Sequence, residues 1–114
     1  MTLKEAKKVV LFQAFEDIHG LWEIVRESGI FEIASREDQL ELARKAVLEL
    51  LDEGHIRLCL YESTERNTIR EISEDEWNQV LSNPTAWEVP KPKAAFVGFE
   101  STPKGDVLYR TNPW

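Results

Sequence analysis

The fold is decided by residues 35–61, which read SREDQLELARKAVLELLDEGHIRLCLY. Ser35 can cap a helix, and the apolar residues after it recur every three or four positions, as one face of a helix requires. Gly54 follows two acids, at a point where helices commonly end on a left-handed residue. Apolar and other side chains then alternate over residues 56–60, as in a strand. We therefore predict a helix over residues 36–53, followed by a strand.

Two further helix signals precede this stretch. Residues 2–5, Thr-Leu-Lys-Glu, form a capping box and open a run of apolar positions at helical spacing, which predicts a helix over residues 3–15. A shorter helix is predicted over residues 21–25, closed by Ser-Gly at 28–29. Residues 30–33 alternate weakly and are predicted to be a short extended segment.

Smaller elements are predicted after the first strand. Residues 68–72 form a candidate strand, and a second capping box at Ser73 opens a helix that Asn83-Pro84 ends. Residues 87–93 cannot be a central strand, because prolines remove hydrogen-bond donors from the ladder. A last strand is predicted over residues 94–99. A helix with proline at its first position is predicted to follow it.

A single domain accounts for the size and composition of the chain. Its 114 residues are 42% hydrophobic and 31% charged, which is ordinary for a globular domain with one core. We therefore predict one domain over residues 1–114. The uncharged residues 9–15 are too few for a signal core or a membrane span, so we predict a cytoplasmic protein with no membrane partner.

The charge of the chain is concentrated in its middle. The net charge is −7, with twelve acids and five bases in residues 11–62 and six acids and two bases in residues 63–90. Both ends are weakly basic. A strongly anionic surface repels phosphate and favours a basic protein as partner.

The acidic residues expected to contact this partner lie near the starts of two predicted helices. Carboxylates there cannot be buried unpaired and are therefore expected on the surface. Trp87 lies in a proline-rich connection, where it either packs the connection onto the domain or anchors a partner interface, since tryptophan is common in interfaces. The predicted partner-binding residues are Glu37, Asp38, Glu41, Glu74, Asp75 and Trp87.

Two parts of the sequence resemble a winged helix-turn-helix domain. Residues 48–56, LELLDEGHI, look like the end of a recognition helix turning into the first wing strand. Residues 99–110, FESTPKGDVLYR, look like the last wing strand passing into a following helix. The resemblance covers residues 36–61 and 94–111. It implies an α+β, winged-helix-like fold that is helix-rich, with a small antiparallel sheet and an enlarged wing region containing an extra helix.

The winged-helix resemblance implies an alternative function as a DNA-binding transcription regulator. Residues 36–53 contain six acids against three bases, whereas helices that read DNA usually carry basic and small polar side chains. DNA is therefore the less favoured partner. The residues that would face DNA are Arg36, Arg44 and Lys45 on the helix and Lys91 and Lys93 on the wing.

A second resemblance, in size and acidity, is to the immunity proteins of bacterial toxin systems. These are small, acidic, cytoplasmic chains without enzymatic activity that cover a basic toxin domain. The resemblance implies a non-enzymatic protein-binding domain. Its sharpest form is an immunity or inhibitor protein that neutralises a basic, nucleic-acid-cleaving toxin.

No pattern in the sequence indicates catalysis, a cofactor or a metal. His19 and His55 are the only histidines, and their separation suggests no metal pair. We expect His19 to be solvated at a helix end and Cys59 to be a buried packing residue. Trp22 and Trp77 lie on apolar helical stripes and are expected in the core. We therefore predict no enzymatic activity and no cofactor.

Overall fold

The protein has an α+β fold, in which five α-helices combine with a four-stranded antiparallel sheet over the described residues. The computed structural model describes residues 2–27 and 35–111. The elements in chain order are α1 (Leu3–Glu16), β1 (His19–Gly20), α2 (Leu21–Glu27), α3 (Arg36–Asp52), β2 (Ile56–Tyr61), β3 (Thr68–Glu71), α4 (Glu74–Ser82), a 3₁₀ helix (Pro84–Trp87), β4 (Phe96–Ser101) and α5 (Pro103–Thr111). The predicted α+β class and small antiparallel sheet are confirmed.

The strands of the sheet follow the order β1-β4-β2-β3, so the last strand lies between the first two. β4 pairs with β2 along its whole length, from Ser101 opposite Ile56 to Phe96 opposite Tyr61. β1 contributes only two residues at one edge, and β3 forms the other edge. The chain reaches β4 through residues 62–95, which contain β3, α4 and the 3₁₀ helix.

α3 forms for the reasons that its sequence predicts. Ser35 caps its first turn, because the Ser35 hydroxyl accepts a hydrogen bond from the backbone N–H of Asp38 at 3.2 Å. The helix ends at Asp52, and Gly54 has the predicted left-handed backbone, with a φ of +78°. The side of α3 that faces the core carries Ala43, Ala46, Val47, Leu50 and Leu51, which are all buried.

Most other predicted elements are present, with ends shifted by one or two residues. β2 extends to Tyr61, and α4 follows the capping box in which Ser73 and Glu76 serve opposite backbone donors. α5 has Pro103 at its first position, as predicted. The Ser-Gly ending of the second helix and the extended segment, together residues 28–33, lie outside the described residues.

The core lies between the sheet and two helices, α1 and α3, which pack against each other and against β4 and β2. Trp22 and Trp77 were expected inside it but are half-buried at its margin. The indole N–H of Trp77 donates to the carbonyl of Ile72 at 3.0 Å, and the ring of Trp22 meets Phe96 edge-on. Both rings keep part of their surface in water. No helix within residues 2–27 and 35–111 is long and apolar enough to cross a membrane.

The end of α3 is held by the start of α5. The Thr102 hydroxyl donates to the carbonyl of Gly54 at 2.6 Å, and the ammonium of Lys104 donates to the carbonyl of Glu53 at 2.7 Å. These bonds satisfy carbonyls that the end of a helix would otherwise leave without partners. Gly105 packs so closely on His55 that a Cβ atom there would lie 1.9 Å from the His55 carbonyl oxygen.

Candidate functional site

The exposed side of α3 is strongly acidic. A helix turns once every 3.6 residues, which places its acids within roughly 120° of the circumference, opposite the buried side. Lys45 is the one base in that sector. We call this surface the acidic face; it consists of Glu37, Asp38, Glu41, Glu49 and Asp52, all exposed.

The acids of this face differ in their pairing. Glu41 lies 3.3 Å from the ammonium of Lys45 in the next turn, and Glu49 lies 3.4 Å from Lys7 of α1. The other three acids of the face, at 37, 38 and 52, have no cationic partner in the described part of the chain. The face therefore keeps an excess of negative charge that the fold does not neutralise.

Glu74 and Asp75 of α4 form a separate acidic patch. Both are exposed, and Asp75 accepts a hydrogen bond from the hydroxyl of Ser73 at 2.5 Å. The neighbouring Glu76 is bound by Arg70 at 3.0 Å, and this hydrogen bond holds the pKa of the Glu76 carboxyl below its usual range. The C-terminal end of α4 lies beside the first half of α3. Glu74 is at the opposite end of α4, roughly 10 Å away along the axis of that helix. The two sets of predicted acids are therefore not brought into one cluster.

Trp87 belongs to the core. Of the two interpretations of this residue, packing of the connection onto the domain is therefore confirmed, and an exposed anchor for a partner is not. Its side chain is only 4% exposed, and its indole N–H donates to the carbonyl of Leu81 at 2.9 Å. The 3₁₀ helix turns the ring inward, where it forms the floor of a groove of about 200 Å³ between α3 and α4. The buried ring therefore holds the 3₁₀ helix, residues 84–87, against the rest of the domain.

The residues predicted to face DNA are not brought onto one surface. Arg36 and Lys45 lie roughly two and a half turns apart and therefore point to opposite sides of α3. Arg44 is half-buried beside the groove above Trp87. Lys91 and Lys93 are exposed in the connection after the 3₁₀ helix, which forms no strand, as its prolines predict.

A buried polar network joins α1, β1 and α2. Gln13, His19 and Glu23 are each at least 93% buried, so the expectation of a solvated His19 is wrong. Glu23 Oε1 accepts hydrogen bonds from the backbone N–H of Gly20 at 3.1 Å and from the guanidinium of Arg66 at 2.9 Å. The carboxylate of Glu23 thus fixes an arginine that is 43 positions away in the sequence.

A cationic groove that was not predicted from the sequence lies beside the proline-rich connection that follows the 3₁₀ helix. It is an open groove with a volume of about 380 Å³, and among the residues described no acid lines it. Its cations are Arg26, Arg66, Lys91 and Lys93, and its aromatic walls are Trp22 and Phe96. These cations come from α2, from the turn after β2 and from the proline-rich connection, so no sequence spacing could have indicated that they meet.

The structure offers no reactive thiol or metal centre in the residues it describes. Cys59 is buried in β2, and burial raises the pKa of its thiol, which is the expected property of a packing residue. No three side chains of histidine, cysteine, aspartate or glutamate are grouped as a metal site within residues 2–27 and 35–111.

Comparison with known proteins gives no match to a family model, to a curated protein or to a solved structure.

Proposed function

We propose that this domain binds a basic protein through the acidic face of α3. The observation that carries the proposal is the presence of three exposed acids, Glu37, Asp38 and Asp52, without a cationic partner in the described residues. They lie on a rigid helix, so they can attract a cationic surface without rearrangement. Complementary charge on a partner would accelerate association more than it would add affinity.

The sharper form of the proposal is an immunity or inhibitor protein that covers a basic toxin domain. The small size and the net charge of −7 support it. A toxin that acts on nucleic acid needs cationic residues to hold phosphates. An acidic cover would occupy those cations and block the substrate.

We also propose that the fold is winged-helix-like, with residues 62–95 as the enlarged wing region. The order of two helices, a long helix, a strand and a later antiparallel strand supports this arrangement. The same resemblance keeps a DNA-binding regulator as the alternative function. That alternative has weaker support, because Arg36 and Lys45 point to opposite sides of α3 and Lys45 is paired with Glu41.

The test compares partner capture by matched variants. Glu37, Asp38 and Glu41 are replaced together by lysine, and the control variant carries lysine at three exposed acids outside α3. The control positions are Glu16, Glu65 and Glu71. Each variant is immobilised and exposed to a lysate of the native host. Both variants change the net charge equally, so a difference between them reports on the acidic face and not on the overall charge.

We expect a basic protein that the wild-type chain and the control retain and that the α3 variant loses. The captured protein is then purified, and its binding is measured directly. Equal retention by both variants would contradict the proposal. Salt-sensitive binding of the wild-type chain to duplex DNA would favour the regulator instead.

A further inference from the structure

The cationic groove has an apolar neighbour. A second cavity, of about 460 Å³, also adjoins the proline-rich connection, and the two cavities share Val89, Pro90, Lys91 and Phe96 as walls. Most of the second cavity is lined by apolar side chains, including Leu60, Val80 and Val97, and among the residues described Glu88 is the one acid that lines it. Val89 is 62% exposed at the common wall. A molecule that spans both cavities would meet cations at one end and apolar surface at the other.

The guanidinium of Arg66 is held in place at the cationic end. It donates to the carbonyl of Ile18 at 2.5 Å and is paired with buried Glu23, while the ring of Phe96 lies 5.3 Å from its central carbon. Its side chain is 36% exposed and lines the groove. A fixed and partly exposed guanidinium loses little freedom when it binds an anion.

Two groove residues have a backbone that non-glycine residues rarely adopt. Arg66 has a φ of +57° and Lys93 a φ of +66°, both in the left-handed region. Such conformations are enriched at ligand sites, where the surrounding structure maintains them. Arg26 and Lys91 have no anionic partner in the described part of the chain. Although the protein is acidic overall, its fold brings cations together in this groove, and those without an anionic partner can bind an anionic ligand.

We propose that the two cavities together bind an amphipathic organic anion. Its carboxylate or phosphate head lies among Arg26, Arg66 and Lys91, and its apolar body lies along Val89 and Phe96. The volume of each cavity is in the range that small-molecule sites occupy. The anion is either a free small molecule or the carboxyl end of an apolar peptide, since both present the same chemistry. This site is separate from the acidic face and does not rest on the function proposed for it.

The test is a titration of the full chain followed by the shifts of its backbone amide resonances. Octanoate supplies head and body, acetate the head alone, and octanamide the body alone. We expect saturable shifts with octanoate, centred on residues 63–66 and 89–93, and much weaker binding of acetate and octanamide. A short apolar peptide with a free carboxyl end, compared with its amide, identifies the source: tighter binding than octanoate indicates a polypeptide, and weaker binding indicates a small molecule.

Two double variants distinguish the effect of the groove cations on octanoate binding from the effect of the overall charge of the protein. Arg26→Gln with Lys91→Gln removes two groove cations, and Lys4→Gln with Arg36→Gln removes two exposed cations elsewhere. Loss of charge-assisted contacts should weaken octanoate binding by about tenfold in the first variant and leave it unchanged in the second. Val89→Ser should weaken octanoate but not acetate. Equal binding of octanoate and octanamide, equal effects of the two double variants, or shifts centred on α3 would overturn the proposal.

Discussion

At the scale of single residues, Gly105 shows how one missing side chain lets helix α5 pack closely on the backbone of the turn between α3 and β2. Alanine is favoured over glycine inside a helix by about 1 kcal/mol, so helix propensity alone predicts that Gly105→Ala stabilises the protein. The new Cβ would lie 1.9 Å from the His55 carbonyl oxygen, which is backbone and cannot turn aside. We expect a net loss of about 1–3 kcal/mol in the free energy of unfolding, as overpacked sites show.

The measurement for Gly105 is a reversible denaturant titration. Val107→Ala in the same helix is the control, because Val107 is 60% exposed and its truncation should change stability by less than about 0.5 kcal/mol. A Gly105→Ala protein as stable as the wild type would mean that α5 does not pack on residue 55 this closely.

His55 is a second residue whose surroundings give a measurable effect. Burial lowers the pKa of its imidazole from the ordinary 6.5, and the positive charges of Lys104 and Lys7 act in the same direction against Glu53. The folded protein therefore takes up this proton less readily than the unfolded chain. The contribution of His55 to stability is complete above pH 6.5 and is lost as the pH falls from there towards the lower folded pKa.

We therefore expect the free energy of unfolding to fall between about pH 7.5 and pH 5.5, and to fall less in His55→Gln. Denaturant titrations of both proteins at the two pH values measure this. Because His19 is present in both, its contribution cancels in the comparison. The same pH dependence in both proteins would show that His55 is not the group responsible.

At the scale of elements, α3 is one of the two helices whose inner sides form the core with the sheet. Leu51 is 3% exposed there, so Leu51→Ala should lower the free energy of unfolding by about 2–5 kcal/mol. Leu48 in the same helix is only half-buried, and Leu48→Ala is the matched control with a smaller expected loss. If a reversible melt shows the same loss in the free energy of unfolding for both truncations, then Leu51 does not lie on the buried side of α3.

The helices and strands could be predicted because their signals are local. Caps at Ser35 and Ser73, the left-handed Gly54 and the proline that opens α5 each act within a few residues of the element they define. Apolar periodicity then identifies which side of α3 is buried. The predicted elements differ from the structure only at their ends, since end positions depend on packing and not on the caps alone. The two-residue strand β1 and the 3₁₀ helix were not predicted.

The candidate sites depended on contacts between distant parts of the chain and were only partly predicted. The acids of α3 were predicted to be exposed because charge cannot be buried unpaired. Trp87 could be placed only when Leu81 and α3 were present around it. His19 has a polar side chain that suggests solvent, but the fold buries it beside Glu23. The cationic groove depends on three segments meeting.

At the scale of the whole molecule, the charge distribution separates two surfaces of opposite sign. α3 presents acids without partners, while the proline-rich connection presents cations without partners within the described residues. A basic protein would be drawn to the first surface and an organic anion to the second. The two surfaces can be tested separately, because the variants that change one leave the residues of the other intact.

The acids in the first turn of α3 also have a structural effect that the test must separate from binding. Negative charge at the start of a helix is favoured by the helix dipole, so Glu37 and Asp38 stabilise α3 even without a partner. Their reversal should therefore lower the melting temperature of the free domain. A structural role alone would change that temperature and leave the kinetics of partner binding unaffected.

The most direct measurement is the association rate of the captured partner across a range of salt concentrations. The variant with lysine at Glu37, Asp38 and Glu41 is compared with the wild type and with the control variant, and melting temperatures are recorded for all three. We expect association to be slowed by about tenfold or more in the α3 variant alone, with a flatter salt dependence and a dissociation rate close to that of the wild type. Unchanged association in the α3 variant, or equal slowing in the control, would show that the acidic face does not bind the partner.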